Sequence, residues 1–332
     1  MPHCISSTDV DAAYERVKPY VTRTPVLTSS FFSSLSDRDV QFKCEAFQKT
    51  GSFKFRGATN ATRMYIEGGG GAAVVTHSSG NHAQALALAG SMNSIPAHII
   101  MPNNAPEAKR RAVEETYKAN VTLCDPTKRQ ETADGVLASL DGAEFIHPSE
   151  DPRVIAGQGT VSKELIEQCG EPLDVVIIPV GGGGLASGNS VALRAAWGDN
   201  VKIVLAEPEI VDDAKRSFES GELQGHEGGV AKPSVADGLK TTLGPNTFPI
   251  VKDLCDDIMT VSEKEILRCT KLVWERMKVM IEPSAGVGVG VLISDEFKQK
   301  YPADKYKRVG VVLCGGNVDV GKTIVKMQEM GL

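Results

Sequence analysis

Residues 174–185 read Asp174-Val175-Val176-Ile177-Ile178-Pro179-Val180-Gly181-Gly182-Gly183-Gly184-Leu185. A run of apolar, mostly β-branched residues without polar alternation predicts a strand covered on both faces, the habit of parallel sheets. Four glycines follow at once, and a helical stretch, Leu185–Trp197, follows them. Successive backbone N–H groups with no side chains over them, at the start of a helix, form a cup for an anion. A single phosphate is the natural occupant.

The same alternation extends outward in both directions. Strands are expected at Val40–Glu45, Ala73–His77, Ala97–Met101, Asn120–Cys124, Glu144–His147, Lys202–Ala206 and Arg308–Leu313. Helices are expected at His82–Met92, Pro106–Lys118, Gly157–Gln168 and Glu263–Met280, the last opened by a capping box from Ser262 to Glu265. Strand-helix alternation throughout predicts an α/β fold with mostly parallel, twisted sheets. The Gly68–Gly71 run and the Pro148–Pro152 stretch read as junctions. They divide the chain into a large domain of residues 1–71 and 151–332 and a small inserted domain of residues 72–150.

Composition closes several doors. The 332 residues carry a formal net charge of -6, which gives no electrostatic reason to expect nucleic acid. No stretch approaches the roughly 18 uninterrupted apolar residues of a membrane helix. The N-terminus has no basic start and no apolar run, so no secretory signal is expected and the cytoplasm is. Seven scattered cysteines without a C-x-x-C pair argue for free thiols in a reducing compartment.

Three further stretches carry chemistry. In Thr50-Gly51-Ser52-Phe53-Lys54-Phe55-Arg56-Gly57-Ala58 a lysine lies between two phenylalanines, where burial lowers an amine's pKa and keeps it nucleophilic toward an aldehyde. A lysine stem covering apolar surface is the plainer alternative. Thr76-His77-Ser78-Ser79-Gly80-Asn81-His82 links a strand to an alanine-rich helix and suits a carboxylate, although small polar residues also serve as plain helix caps. Gly316-Asn317-Val318-Asp319-Val320-Gly321-Lys322-Thr323 matches the P-loop pattern literally. Only nine residues follow it, too few for the metal-binding strand that a nucleotidase needs. Gly181-x-Gly183-x-x-Ala186 also fits a dinucleotide fingerprint, with Glu207 ending the next strand, so a nicotinamide-dependent dehydrogenase stays open on spacing alone.

An amine, a phosphate cup and a carboxylate cup together describe pyridoxal phosphate with an amino acid. GSFKFRGA, THSSGNH, GGGG and LCGGN, in that order and joined by HP–VIAGQGT, ADGLK and IEPSAGVGVG, resemble the type II fold pyridoxal-phosphate enzymes. Tryptophan synthase β is of this fold, and the likeness is to its racemase and serine/threonine dehydratase branch. The likeness covers nearly the whole chain. It implies two α/β domains, racemisation of serine, and β-elimination from serine or threonine as a side activity. Dehydration of threonine or 3-hydroxyaspartate is the alternative.

The resemblance also implies roles. Lys54 would carry the cofactor as a Schiff base and act as base on one face of the substrate, with Ser79 as acid-base residue on the other. Phe53 would pack on the ring and Asn81 would bond its phenolic oxygen. Gly181, Gly182, Gly183, Gly184 and Leu185 would hold the phosphate. Cys314 would face the pyridine nitrogen, where serine is more usual, and a thiol is the weaker donor. Ser78, Ser79, Asn81 and His82, with Arg129 and Asp237, would meet the substrate. Glu207, Asp213 and the Val211 carbonyl would be oxygen ligands for Mg²⁺ or Ca²⁺. Ser30, Phe31, Lys49, Thr50, Gln84 and Tyr117 would bind ATP as an activator between the subunits of a homodimer.

Overall fold

A computed structural model describes residues 2–105 and 107–332, apart from the side chains of residues 108 and 109. Ten strands are formed among the described residues: β1 Val26–Thr28, β2 Asp39–Cys44, β3 Val74–His77, β4 Ala97–Pro102, β5 Asn120–Cys124, β6 Glu144–Phe145, β7 Val175–Pro179, β8 Lys202–Pro208, β9 Asp257–Val261 and β10 Arg308–Leu313. They make a six-stranded sheet in the order β1-β2-β10-β7-β8-β9 and a four-stranded sheet in the order β5-β4-β3-β6. Only β1 runs antiparallel to its neighbour; every other pairing is parallel.

The decisive run behaves as its composition dictates. Val175, Val176, Ile177 and Ile178 are wholly buried, packed by helices Pro283–Ile293 and Gly184–Trp197. At about 25 cal/mol per Å² of apolar area removed from water, such side chains contribute roughly 1.5–3 kcal/mol each. Because β10 and β7 pair in parallel, their carboxyl ends lie side by side. Cys314 and Gly181 therefore leave the sheet next to one another, in the crevice where open α/β sheets bind ligands. The carboxyl end of β3 delivers His77–His82 from the other sheet.

A buried ion network braces the start of helix Lys54–Glu67. Arg56 donates to Glu45 (2.7 and 2.8 Å) and to Glu164 (2.8 and 2.8 Å). Lys43 donates to Glu164 at 2.6 Å. Two cations balance two carboxylates, which is what makes burying all four tolerable.

Several boundaries differ from the sequence expectation, each for a local reason. Glu45 leaves β2 to meet Arg56, so the strand ends at Cys44. Strand β6 stops at Phe145, two residues short of His147. The helix expected from Gly157 begins at Pro152, because Asp151 caps it by accepting the Arg153 N–H at 2.8 Å. Helix Glu263–Met277 stops before Met280, since Lys278 turns left-handed with φ 61°. Pro106 lies outside the described residues; beyond it a short helix, Glu107–Arg111, widens into a π-helical turn, Ala112–Thr116. Strands β1 and β9 were not anticipated, the first for brevity and the second because Asp257 and Thr260 interrupt its apolar run. The Gly68–Gly71 run caps helix Lys54–Glu67, Gly70 N–H bonding to the Tyr65 carbonyl.

Candidate active site

Lys54 is the first residue of its helix, and the strand-like bridge Ser52–Gly315 fixes it against the end of β10. Phe53 N–H bonds to the Cys314 carbonyl at 3.1 Å, which carries the lysine to the carboxyl edge of the larger sheet. The Lys54 Nζ donates to the Pro148 carbonyl at 2.7 Å and lies 5.1 Å from the Phe53 ring centroid. Burial pushes its pKa down to about 8, the neighbouring Cys314 opposing weakly. An amine so placed has a useful free-base fraction near neutral pH.

The tetraglycine turn is the second component. Gly183 holds φ +78°, and a Cβ there would lie 2.6 Å from Leu243 Cδ2 and Thr247 Cβ. A Cβ on Gly181 would meet the Leu239 backbone at 2.8 Å, and one on Gly182 would meet Ser149 Oγ at 2.6 Å. Side chains are excluded here, and bare N–H groups are left at the start of helix Gly184–Trp197. The site thus offers the backbone nest that a phosphate monoester requires.

Pro148 and Ser149 join the two components. Pro148 receives the lysine, and Ser149 packs against Gly182 and Gly184. His147 accepts the N–H groups of Ser149 (3.2 Å) and Glu150 (2.9 Å) through Nδ1, which shapes the turn. Burial pushes the His147 pKa down to about 4, so this acceptor stays neutral. In the sequence Pro148 marks only a junction. Nothing local could have shown that a lysine far earlier in the chain and a glycine turn later in it converge there.

Asn81, the first residue of helix Asn81–Met92, donates to Glu282 Oε1 at 2.9 Å and accepts from Asn317 Nδ2 at 2.9 Å. Ser78 and Ser79 occupy the turn before it, the Ser78 hydroxyl accepting the Gly80 N–H at 3.3 Å. His82 points inward. Its Nε2 donates to the Ile146 carbonyl at 3.3 Å, and burial holds its pKa well below the ordinary value. What His82 can offer a carboxylate is its main-chain N–H in the first helical turn. Cys314 is buried, and desolvation holds its thiol protonated. Leu185 is buried behind the cup.

Arg129 is exposed, its Nε on the Pro126 carbonyl at 3.1 Å. Asp237 pairs with Lys240 at 2.5 Å. Glu207 and Asp213 are both buried. Glu207 accepts the N–H groups of Ala214 and Lys215 at 2.8 and 2.9 Å, and burial raises its pKa to about 8. Asp213, raised to about 6 by burial, faces His226 Nδ1 at 3.4 Å. Among the described residues no three His, Cys, Asp or Glu side chains converge as a metal site. Val211 is buried in the short turn Glu209–Val211, after β8.

Ser30 and Phe31 line a recess with Arg276 and Met277, the Arg276 guanidinium 5.0 Å from the Phe31 ring. Phe31 packs on the core of the larger sheet and Tyr117 on that of the smaller. Lys49 bonds the Tyr20 carbonyl at 2.5 Å, Thr50 accepts from Asn317, and Gln84 is buried in its helix. The stretch that matches the P-loop pattern runs as a loop over residues 316–319 and turns helical at Val320. Gly321, Lys322 and Thr323 are helical, Asp319 capping their helix through the Lys322 N–H at 3.1 Å.

Comparison with known proteins agrees with this geometry. The family described as "Pyridoxal-phosphate dependent enzyme" matches residues 17–315. The chain is 43% identical to the serine racemase of Homo sapiens, over 98% of this chain and 95% of that protein. It is 42% identical to the beta-hydroxyaspartate dehydratase of Paracoccus denitrificans, over 95% and 96% of the two. The crystal structure of serine racemase from Dictyostelium discoideum superposes with a TM-score of 0.89 at 43% identity, covering 96% of this chain and all of that one.

Proposed function

The chain belongs to the pyridoxal-phosphate dependent enzymes, and from that premise we propose that it interconverts L- and D-serine, with elimination of water and ammonia from serine or threonine as a side activity. The observation that carries this is the desolvated Lys54 amine on the Pro148 carbonyl, one residue from the segment packed on the tetraglycine cup. The group fits: the cup has no room for side chains, and the thiol of Cys314 stays protonated beside the lysine.

When bound, pyridoxal phosphate supplies the electron-withdrawing ring that makes the Cα proton of an amino acid removable. The residues of the chain then divide the work. Gly181–Gly184 and Leu185 hold the phosphate, Phe53 packs beside the ring, and Asn81 orients the phenolic oxygen. The turn Ser78–His82 holds the substrate carboxylate through hydroxyls and helix-start N–H groups, with Arg129 and Asp237 assisting. Lys54 takes or returns a proton at one face of Cα, and Ser79 does so at the other. Two proton carriers on opposite faces make inversion possible. One carrier with a departing hydroxyl gives elimination.

Glu207, Asp213 and the Val211 carbonyl are assigned to Mg²⁺ or Ca²⁺. Burial raises the pKa values of both carboxyls, even with His226 and Arg216 near Asp213, and a hard cation between them would offset that desolvation. Ser30, Phe31, Lys49, Thr50, Gln84 and Tyr117 are assigned to ATP as an activator bound between subunits. This requires a homodimer. Residues 72–150 form the small domain, residues 1–71 and 151–332 the large one, and the enzyme is assigned to the cytoplasm. No helix among the described residues is long and apolar enough to cross a membrane.

Dehydration of 3-hydroxyaspartate is the second reading, favoured by the Paracoccus denitrificans relative. Product analysis with L-serine, L-threonine and 3-hydroxyaspartate, resolving enantiomers from keto acids, decides between them. D-serine formed from L-serine supports racemisation; a keto acid from 3-hydroxyaspartate alone, with no D-serine, contradicts it.

A further inference from the structure

We propose that Asn317 and Glu282 are positioning residues that fix the carboxamide of Asn81 in one orientation and latch the turn Ser78–His82 onto the larger sheet. The chain of hydrogen bonds has a defined polarity. A backbone carbonyl only accepts, so the Asn317 Nδ2 that lies 2.7 Å from the Thr50 carbonyl must be the amide nitrogen. The other proton of that nitrogen goes to Asn81 Oδ1 at 2.9 Å. With its oxygen committed, Asn81 turns its nitrogen to Glu282 Oε1 at 2.9 Å. One Asn81 N–H remains for a ligand oxygen.

Both ends of this relay are anchored. Glu282 N–H bonds to the Gly315 carbonyl at 3.0 Å, next to Cys314. Thr50, a β-branched residue, holds φ 59°, a left-handed conformation that needs support from its surroundings. Asn317 provides that support on its carbonyl. The relay therefore spans the two sheets: Asn81 follows β3, while Thr50, Glu282 and Asn317 belong to segments around β2 and β10. It also absorbs Asn317 of the apparent P-loop, which no phosphate role explains.

The part of this inference that concerns the ring oxygen rests on the proposed pyridoxal-phosphate chemistry; the latch does not. Asn317→Asp is isosteric but donates to neither partner, and Asn317→Ala removes the donors without adding charge. Purified holoprotein of each variant and of the wild type is compared by hydrogen–deuterium exchange over residues 78–84 and by the cofactor absorbance spectrum. Exchange over 78–84 rises on the order of tenfold in both variants, and the absorbance maximum shifts in Asn317→Asp while Lys54 still carries the cofactor. Exchange equal to wild type in Asn317→Ala overturns the latch. A shifted spectrum that Asn317→Gln does not restore even partly overturns the orienting role. A wild-type protein with no cofactor band sinks the proposed function instead, and the exchange comparison still decides the latch.

Discussion

Lys54 Nζ donates to the carbonyl of Pro148 at 2.7 Å, joining the start of a helix to the turn that follows the four-stranded sheet. The next residue, Ser149, packs on Gly182 and Gly184. A single short turn thus positions the amine and lines the anion cup.

The pKa of Lys54, pushed down to about 8 by burial, sets a pH dependence. In protein stripped of cofactor, the rate of capturing added pyridoxal phosphate rises with pH as the amine loses its proton and levels off above about pH 8. An ordinary lysine amine would level off only above about 10.4. Stopped-flow absorbance over pH 6–10.5 reads the midpoint, and a midpoint above 10 refutes the desolvated amine.

Gly183→Ala places a Cβ at φ +78° and 2.6 Å from Thr247 Cβ. The strained backbone alone costs about 1–3 kcal/mol, and the cup must open to admit the methyl group. Cofactor affinity falls at least tenfold by fluorescence titration. Affinity equal to wild type would place the phosphate elsewhere.

Ser79→Ala removes racemisation of L-serine and retains part of the elimination to pyruvate, because only inversion needs a proton carrier on the second face. Chiral chromatography beside a keto-acid assay separates the two rates. D-serine formed at the wild-type rate defeats the two-face assignment.

Truncating Arg56 removes the cation from Glu45 and leaves Glu164 with Lys43 alone. Arg56→Ala lowers stability by about 3–5 kcal/mol, the usual cost of breaking a buried pair, measured by urea unfolding. A loss below 1 kcal/mol shows that the network does not brace the Lys54 helix.

Glu207→Gln tests the cation assignment. Calcium or magnesium chloride raises the melting temperature of the wild type and leaves that of Glu207→Gln unchanged. An equal rise in both proteins moves the cation away from Glu207.

Much of this arrangement was legible in the chain. The apolar run Val175–Ile178 with its glycines marks a parallel strand ending in a cup, because that feature is local; Lys54 between two phenylalanines reads as a desolvated amine only together with the other motifs. What escaped was convergence across long separations. Pro148 read as a junction and Asn317 as part of an accidental motif, since neither has a neighbour in sequence that reveals its partner. The signal for the buried network was present in Phe42-Lys43-Cys44-Glu45, where two charges interrupt an apolar strand and demand countercharges. Arg56 and Glu164 supply them from helices whose docking only the fold defines.

Borohydride reduction of the purified holoprotein, followed by digestion and peptide mass analysis, addresses the chemistry of Lys54 most directly. Loss of the visible band with a reduced pyridoxyl-phosphate adduct on Lys54 is the result expected. An adduct on another lysine, or no adduct in a protein that still converts serine, would contradict it.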